Sequence, residues 1–190
     1  DIIIGKFKES AALKTAFASK NCSKIEAVVH LCAQILKCGN KIMLFGNGGS
    51  AADAQHIAAE FVNRLRKTPM NRPPLAALAL TTDSSVLTSI SNDSDFSNVF
   101  SRQIEALGKK GDLAWGISTS GNSPNLIKAF KIARDMGITT VGFTGGGGGV
   151  MGTLADHHFT VESSDTTRIQ EVQIILAHVI CELIEAELCT

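Results

Sequence analysis

The chain has 190 residues, with 18 basic and 18 acidic side chains and hence no formal net charge, and 44% of its residues are hydrophobic. That length suits one domain with a sizeable core, and the lack of any basic block excludes a typical nucleic-acid partner. The opening Asp-Ile-Ile-Ile is too short for the apolar part of a signal peptide, and no apolar run approaches the roughly 20 residues of a membrane span.

Residues 6–38 carry helical periodicity with little Gly or Pro, and predict one helix over about 6–20 and another over about 23–37, stopped by Gly39-Asn40. Ser23 is a plausible cap, with Glu26 at the capping-box spacing. Helices that precede any strand are expected to pack as a bundle beside the sheet or against a second subunit. The cysteines (Cys22, Cys32, Cys38, Cys181 and Cys189) are odd in number and form no Cys-x-x-Cys, which reads as reduced thiols in a cytoplasmic protein.

The stretch 41–60, KIMLFGNGGSAADAQHIAAE, organises the rest. Lys41–Phe45 is a buried strand by its apolar run. Gly46-Asn47-Gly48-Gly49 breaks it, Ser50 is a reasonable N-cap, and the alanine-rich segment that follows is a helix running to about Arg66. Strand, glycine turn and helix together present backbone N–H groups to an anion, although such a turn is often no more than a turn. His56 and Glu60 stand four apart on one helical face. That is the spacing of a metal or acid/base pair, and equally of a solvated helix pair.

Lys67–Pro74 holds three prolines and reads as a loop, and Leu75–Leu80 as a second buried strand. Asp83 caps a short helix, Ser91–Asp95 is a polar turn containing Asn92 and Asp93, and Asn98–Leu107 is helical. Leu113–Ser118 is a third strand. It runs into Ser118-Thr119-Ser120-Gly121-Asn122-Ser123-Pro124, where Ser123 falls at an N-cap and Pro124 at the first helical position. Hydroxyls at a helix N-terminus, at the C-terminal end of a strand, suit a phosphate monoester. The helix Asn125–Met136 ends at Gly137, a C′ glycine, and Ile138–Thr144 is a fourth strand.

Gly145–Gly149, five glycines in a row, reads as a flexible loop. A short helix at 150–155 leads to a fifth strand, Asp156–Val161, whose neighbours His157 and His158 point to opposite faces and so do not form a chelating pair. Thr167–Leu188 is a long helix, apolar on several faces, as in an oligomer core. Periodicity alone makes its His178 a core histidine with a partner.

GNGGSAADAQHIAAEF, the Asn92-Asp93 pair, GDLAWGISTSGNSPN and RIQEVQIILAHVICELIE occur in order and at fitting intervals over 41–188. Together they resemble the sugar-isomerase (SIS) fold and, within it, the phosphoheptose isomerases that act on sedoheptulose 7-phosphate. The resemblance implies a three-layer α/β domain: a five-stranded parallel sheet flanked by helices, with the N-terminal helices used in oligomerisation. It also implies a homotetramer with active sites at subunit interfaces and one zinc ion per subunit.

By motif, Asn47, Gly48, Gly49, Asn92 and Asp93 would contact substrate, and Ser118, Thr119, Ser120 and Ser123 would hold its phosphate. His56, Glu60, Gln170 and His178 would be the zinc ligands, with Glu60 and His178 also the acid/base pair; Glu60 and Gln170 would touch substrate too, and Arg64 would assist. The implied reaction converts sedoheptulose 7-phosphate to D-glycero-D-manno-heptose 7-phosphate, the first step of bacterial nucleotide-activated heptose synthesis for lipopolysaccharide or capsule.

The sequence departs from the family pattern in three places. Val161-Glu162-Ser163-Ser164 lacks a proline, the glycine run is longer than the usual pair, and Ser94 stands where an aromatic is common. Gln170 and His178 also lie eight residues apart, about 12 Å along an ideal helix, which strains a shared ion.

The other class to weigh is a non-catalytic SIS protein that senses a sugar phosphate or binds the replication initiator. The initiator-binding relative resembles this family in its loops but lacks the Glu and the late His, whereas this chain has Glu60 and His178. A SIS isomerase of hexose phosphates is disfavoured by the RIQE…H helix.

Overall fold

The computed structural model describes residues 1–65 and 72–188. The expected loop at Lys67–Pro74 therefore falls largely outside the described residues, as do Arg66 and Cys189. The first element is a single helix, α1, spanning Ile2–Lys37, and not two. Nothing in 6–37 breaks it. Thr15, Ser19 and Asn21 turn their side chains back onto the carbonyls of Ala11, Thr15 and Phe17, which keeps polar residues within a helix. Ser23, expected to cap a second helix, lies inside the first. Gly39, at φ +74°, ends it, with Asn40 N–H donating to the Ile35 carbonyl.

The sheet consists of β1 (Ile42–Gly46), β2 (Ala77–Ala79), β3 (Leu113–Ile117), β4 (Thr139–Gly145) and β5 (His157–Val161). Its order is β2-β1-β3-β4-β5 and every pairing is parallel. β2 is shorter than the expected Leu75–Leu80. Leu75 N–H is spent on the Phe61 carbonyl, and Pro73 and Pro74 have no N–H to give, so the edge strand starts late.

The remaining helices are α2 (Gly49–Val62), α3 (Ser84–Asp93), α4 (Ser101–Leu107), α5 (Pro124–Asp135), α6 (Gly149–Leu154) and α7 (Thr166–Leu188), with a 3-10 turn at Phe96–Asn98. Strand residues alternate between two cores. Ile42, Leu44, Leu113, Trp115 and Phe143 pack with α1, α2 and α7, while Met43, Phe45 and Ala114 pack with α4, α5 and Met151 of α6. The result is three layers, as expected for the fold class. Among the described residues, no helix is long and apolar enough to cross a membrane.

The five-glycine run is not a flexible loop. Gly145 closes β4, where a Cβ would strike Ile169, and Gly149 opens α6, where a Cβ would lie 2.6 Å from the Ser120 carbonyl oxygen. Gly146, Gly148 and Gly149 have positive φ. The run is compact because it must pack against the loop after β3.

Candidate active site

In this strand order the chain leaves β1 toward one edge of the sheet and β3 toward the other, so the crevice between them is the topological switch point where open α/β sheets bind ligands. Both expected loops lie there, each following a central strand. The glycine turn after β1 places Gly48, φ +55°, at the N-cap of α2, so Ser50 is buried inside the helix and is not the cap. The α2 N-terminus has no side-chain cap.

Ser123 is the N-cap of α5, and it too makes no side-chain bond to the helix. Two helix N-termini whose N-cap residues make no side-chain bond therefore meet at one crevice, and the positive end of each helix favours an anion there. Ser118 Oγ accepts from Gly121 N–H at 3.1 Å and lies 3.4 Å from Ser123 Oγ. Ser120 Oγ accepts from Asn122 N–H at 3.2 Å and is exposed, with Thr119 half-buried before it. The glycine run braces this loop from behind: Gly145 N–H donates to the Thr119 carbonyl, Met151 N–H to the Gly121 carbonyl and Val150 N–H to Asn122 Oδ1.

Asn47 joins the two loops. Its side-chain amide exchanges hydrogen bonds with that of Asn125, at 3.0 and 2.8 Å, and Asn125 is 2% exposed. Asn125 went unnoticed in the sequence, where it reads as an ordinary first-turn residue.

One to two turns along α2, three of the expected residues converge. His56 Nε2 lies 2.8 Å from His178 Nε2, their rings edge to face, and 3.7 Å from Glu60 Oε1. His178 is thus not a core histidine with an arbitrary partner; it meets the other histidine across the α2–α7 contact. Burial, with the nearby His56 adding to it, holds the His178 pKa below its ordinary value, although Glu60 and Asp53 pull the other way.

Asp53 is a member that sequence reasoning missed. Its pKa is raised by burial, against the pull of His56 and His178. The signal was present: Asp53 precedes His56 by three residues and so shares its face.

Gln170, the fourth expected ligand, lies elsewhere. Its side chain packs on Gly49, where a Cβ would lie 2.6 Å from Nε2. Gly49 is seven residues before His56, about 10 Å along the helix. The amide therefore borders the glycine turn, as a substrate contact would, and joins the histidine cluster only by leaving that turn.

Asn92 and Asp93 occupy the last turn of α3 rather than a separate loop, exposed and bonded to each other at 2.8 Å. Arg64 lies just past α2, half-buried. His158, on the opposite face from His157, is half-buried against Gly148 and Gly152 and bonds Thr144 Oγ1 at 2.6 Å, with its pKa lowered by burial and by Lys24. Of the cysteines described, all are free, and burial pushes the Cys32 thiol up to about 12.

Two imidazoles and a carboxylate are the donors zinc favours, and three protein ligands leave a position open for substrate. Among the described residues, however, no group of three or more His, Cys, Asp and Glu side chains is drawn together closely enough to hold an ion as it stands. Glu60 must close toward the histidines for the donor set to be complete.

A family model described as the SIS domain matches residues 7–145. The chain is 53% identical over 183 residues to the phosphoheptose isomerase of Aquifex aeolicus, covering 96% of this chain and 94% of that one. It is 50% identical over 182 residues to the phosphoheptose isomerase of Nitratidesulfovibrio vulgaris, covering 96% and 86%. Among solved structures, a phosphoheptose isomerase from Neisseria gonorrhoeae superposes with a TM-score of 0.89 at 41% identity, covering 97% of both chains. One from Francisella tularensis gives 0.92 at 32% identity, covering 98% of this chain and 97% of that one.

Proposed function

This chain belongs to the phosphoheptose isomerase family of SIS-domain proteins, and from that premise we propose that it interconverts sedoheptulose 7-phosphate and D-glycero-D-manno-heptose 7-phosphate. The observation that carries the reading is the convergence of Glu60, His56 and His178 beside two uncapped helix N-termini at the switch point. A module that only senses a sugar phosphate needs the helix ends and not the acid/base cluster.

The phosphate sits over the α5 N-terminus, held by Ser118, Thr119, Ser120 and Ser123 and by the positive end of the helix behind them. Its remote binding fixes the sugar against the glycine turn, where Asn47, Gly48, Gly49 and Gln170 orient the carbonyl end, so that phosphate affinity is used to position the reacting carbons. Asn92 and Asp93 contact the sugar from α3.

The reaction moves one proton between C1 and C2 while the carbonyl shifts the other way. Glu60 takes the proton from C1 of the ketose and returns it at C2. His178, whose pKa burial holds below its ordinary value, passes a proton between the two oxygens. Zinc, held by His56, Glu60 and His178 with Gln170 as the fourth candidate, would supply Lewis acidity to those oxygens. The working form is a cytoplasmic homotetramer with sites at subunit interfaces, supplying heptose for nucleotide activation. The apolar side chains left exposed on α1, at Ile2, Ile3, Ile4 and Phe7, support the self-association alone.

The test is incubation with sedoheptulose 7-phosphate in deuterated water, followed by product analysis. The wild type is expected to yield the aldoheptose with deuterium at C2. Glu60→Gln should bind substrate yet lose turnover by about 10²-fold or more. A Glu60→Gln variant that exchanges deuterium as fast as wild type removes Glu60 from the role of base. A wild type that binds the sugar phosphate without converting it favours the sensing module.

A further inference from the structure

One buried charge is used by nothing in that mechanism. The Arg72 side chain is 2% exposed and its partner, Glu185, 6%. Nε donates to Glu185 Oε1 at 2.5 Å, Nη2 to the Glu60 carbonyl at 2.6 Å, and Nη1 to the carbonyls of Phe61 at 2.9 Å and Pro73 at 3.0 Å. Glu185 Oε1 also accepts Leu65 N–H at 2.9 Å.

The last carbonyls of a helix have no partner within it. Because α2 ends at Val62, the carbonyls of Glu60 and Phe61 are two of these, and the guanidinium takes both. The guanidinium reaches these separated acceptors from three nitrogens held in one plane, whereas an ammonium presents its three donors from a single atom.

On α7, Glu185 stands seven residues beyond His178, two turns on and about 20° round, hence on the same face. The pair therefore ties the end of the helix bearing Glu60 to the helix bearing His178, about 10 Å from where His56 and His178 meet. A buried ion pair is a poor source of net stability, since apolar residues of similar size hold helices together as well or better. What it adds is a fixed relative placement.

We propose that Arg72, acting with Glu185, is a positioning residue for the isomerisation. It sets the Glu60 carboxylate against His178 and touches no substrate. This rests on the reading of Glu60 and His178 as the acid/base pair.

The experiment compares the full chain with Arg72→Lys and with the double variant Arg72→Met/Glu185→Met, measuring melting temperature, kcat and KM for sedoheptulose 7-phosphate. The Met pair also loses the donors that Arg72 gives the Glu60 and Phe61 carbonyls and the acceptor that Glu185 gives Leu65 N–H, so it should melt below wild type, and its kinetics are measured per folded molecule. Its kcat should fall roughly 10- to 100-fold, the effect of a small misplacement of a catalytic group. KM should stay within about twofold, because the Ser118–Ser123 loop is untouched.

Arg72→Lys should keep the charge and lose part of kcat; should the Met pair not fold, this variant carries the test alone. A folded variant with wild-type kcat per molecule overturns the proposal. If instead the wild type does not isomerise, the functional reading falls first, and the two failures are told apart by that control.

Discussion

Ser123 stands at the N-cap of α5 and does not cap it. An N-cap serine replaced by alanine usually costs about 1 kcal/mol of stability, but here no hydrogen bond to the helix is lost. Ser123→Ala should therefore leave the melting temperature nearly unchanged while weakening substrate binding. A lost hydrogen bond to a charged group is worth about 1.5–3 kcal/mol, or roughly tenfold or more in affinity. Ser120→Ala should behave alike, because its exposed hydroxyl makes only a local bond to Asn122 N–H among the contacts described. Wild-type KM in both variants would place the phosphate elsewhere. The same scale explains what the sequence hid. Gln170 and His178 are legible as polar residues on an apolar helix, but a linear pattern does not say that one amide turns to Gly49 while the imidazole turns to His56. Asp53 was hidden for another reason: an acidic residue on a surface helix needs no explanation until a second helix covers it.

At the scale of elements, each strand and the glycine-to-helix turns could be read from apolar runs and turn chemistry, because those signals are local. Misreadings arose where a distant neighbour decides. Polar residues near 21–23 suggested a break in α1, but side-chain bonds to the preceding turn and the packing of the apolar stripe on α7 carry the helix through. Gly145–Gly149 reads as a flexible loop because a glycine run bears no trace of what it packs against. Gly121 is the other half of that contact: φ is +65°, and a Cβ there would collide with the Gly148 carbonyl oxygen. Gly121→Ala must therefore displace either the glycine run or the hydroxyl loop. The expected outcome is a folded protein, destabilised by about 1–3 kcal/mol from the left-handed backbone alone, with KM raised and little isotope exchange at subsaturating substrate. Denaturant unfolding and steady-state kinetics on one preparation check both parts. Unchanged KM would mean that the two loops move independently.

At the scale of the whole molecule, Ile2, Ile3, Ile4 and Phe7 are exposed at the start of a helix that is about 54 Å long. Val62, Leu78, Phe96 and Leu183 are exposed as well. In the assembly proposed above a second copy covers this apolar helix end, and closed dihedral symmetry lets each copy cover another. Light scattering at micromolar concentration should give a tetramer, and Ile3→Lys with Phe7→Glu should shift it to smaller species. A wild-type monomer would remove the shared active site from the account.

The same helix imposes an order on biosynthesis. Its contacts reach to the far end of the chain: Ser10 pairs with Glu171, the Lys6 carbonyl with Arg168, and His30 with Glu187. Because α1 is translated before α7, it must wait, with its apolar stripe unmatched, until α7 has left the ribosome. Such distant pairings are slow to form and leave sticky surface in the interim. On the function proposed above, the wait also covers the chemistry, since His56 emerges early and His178 only with α7.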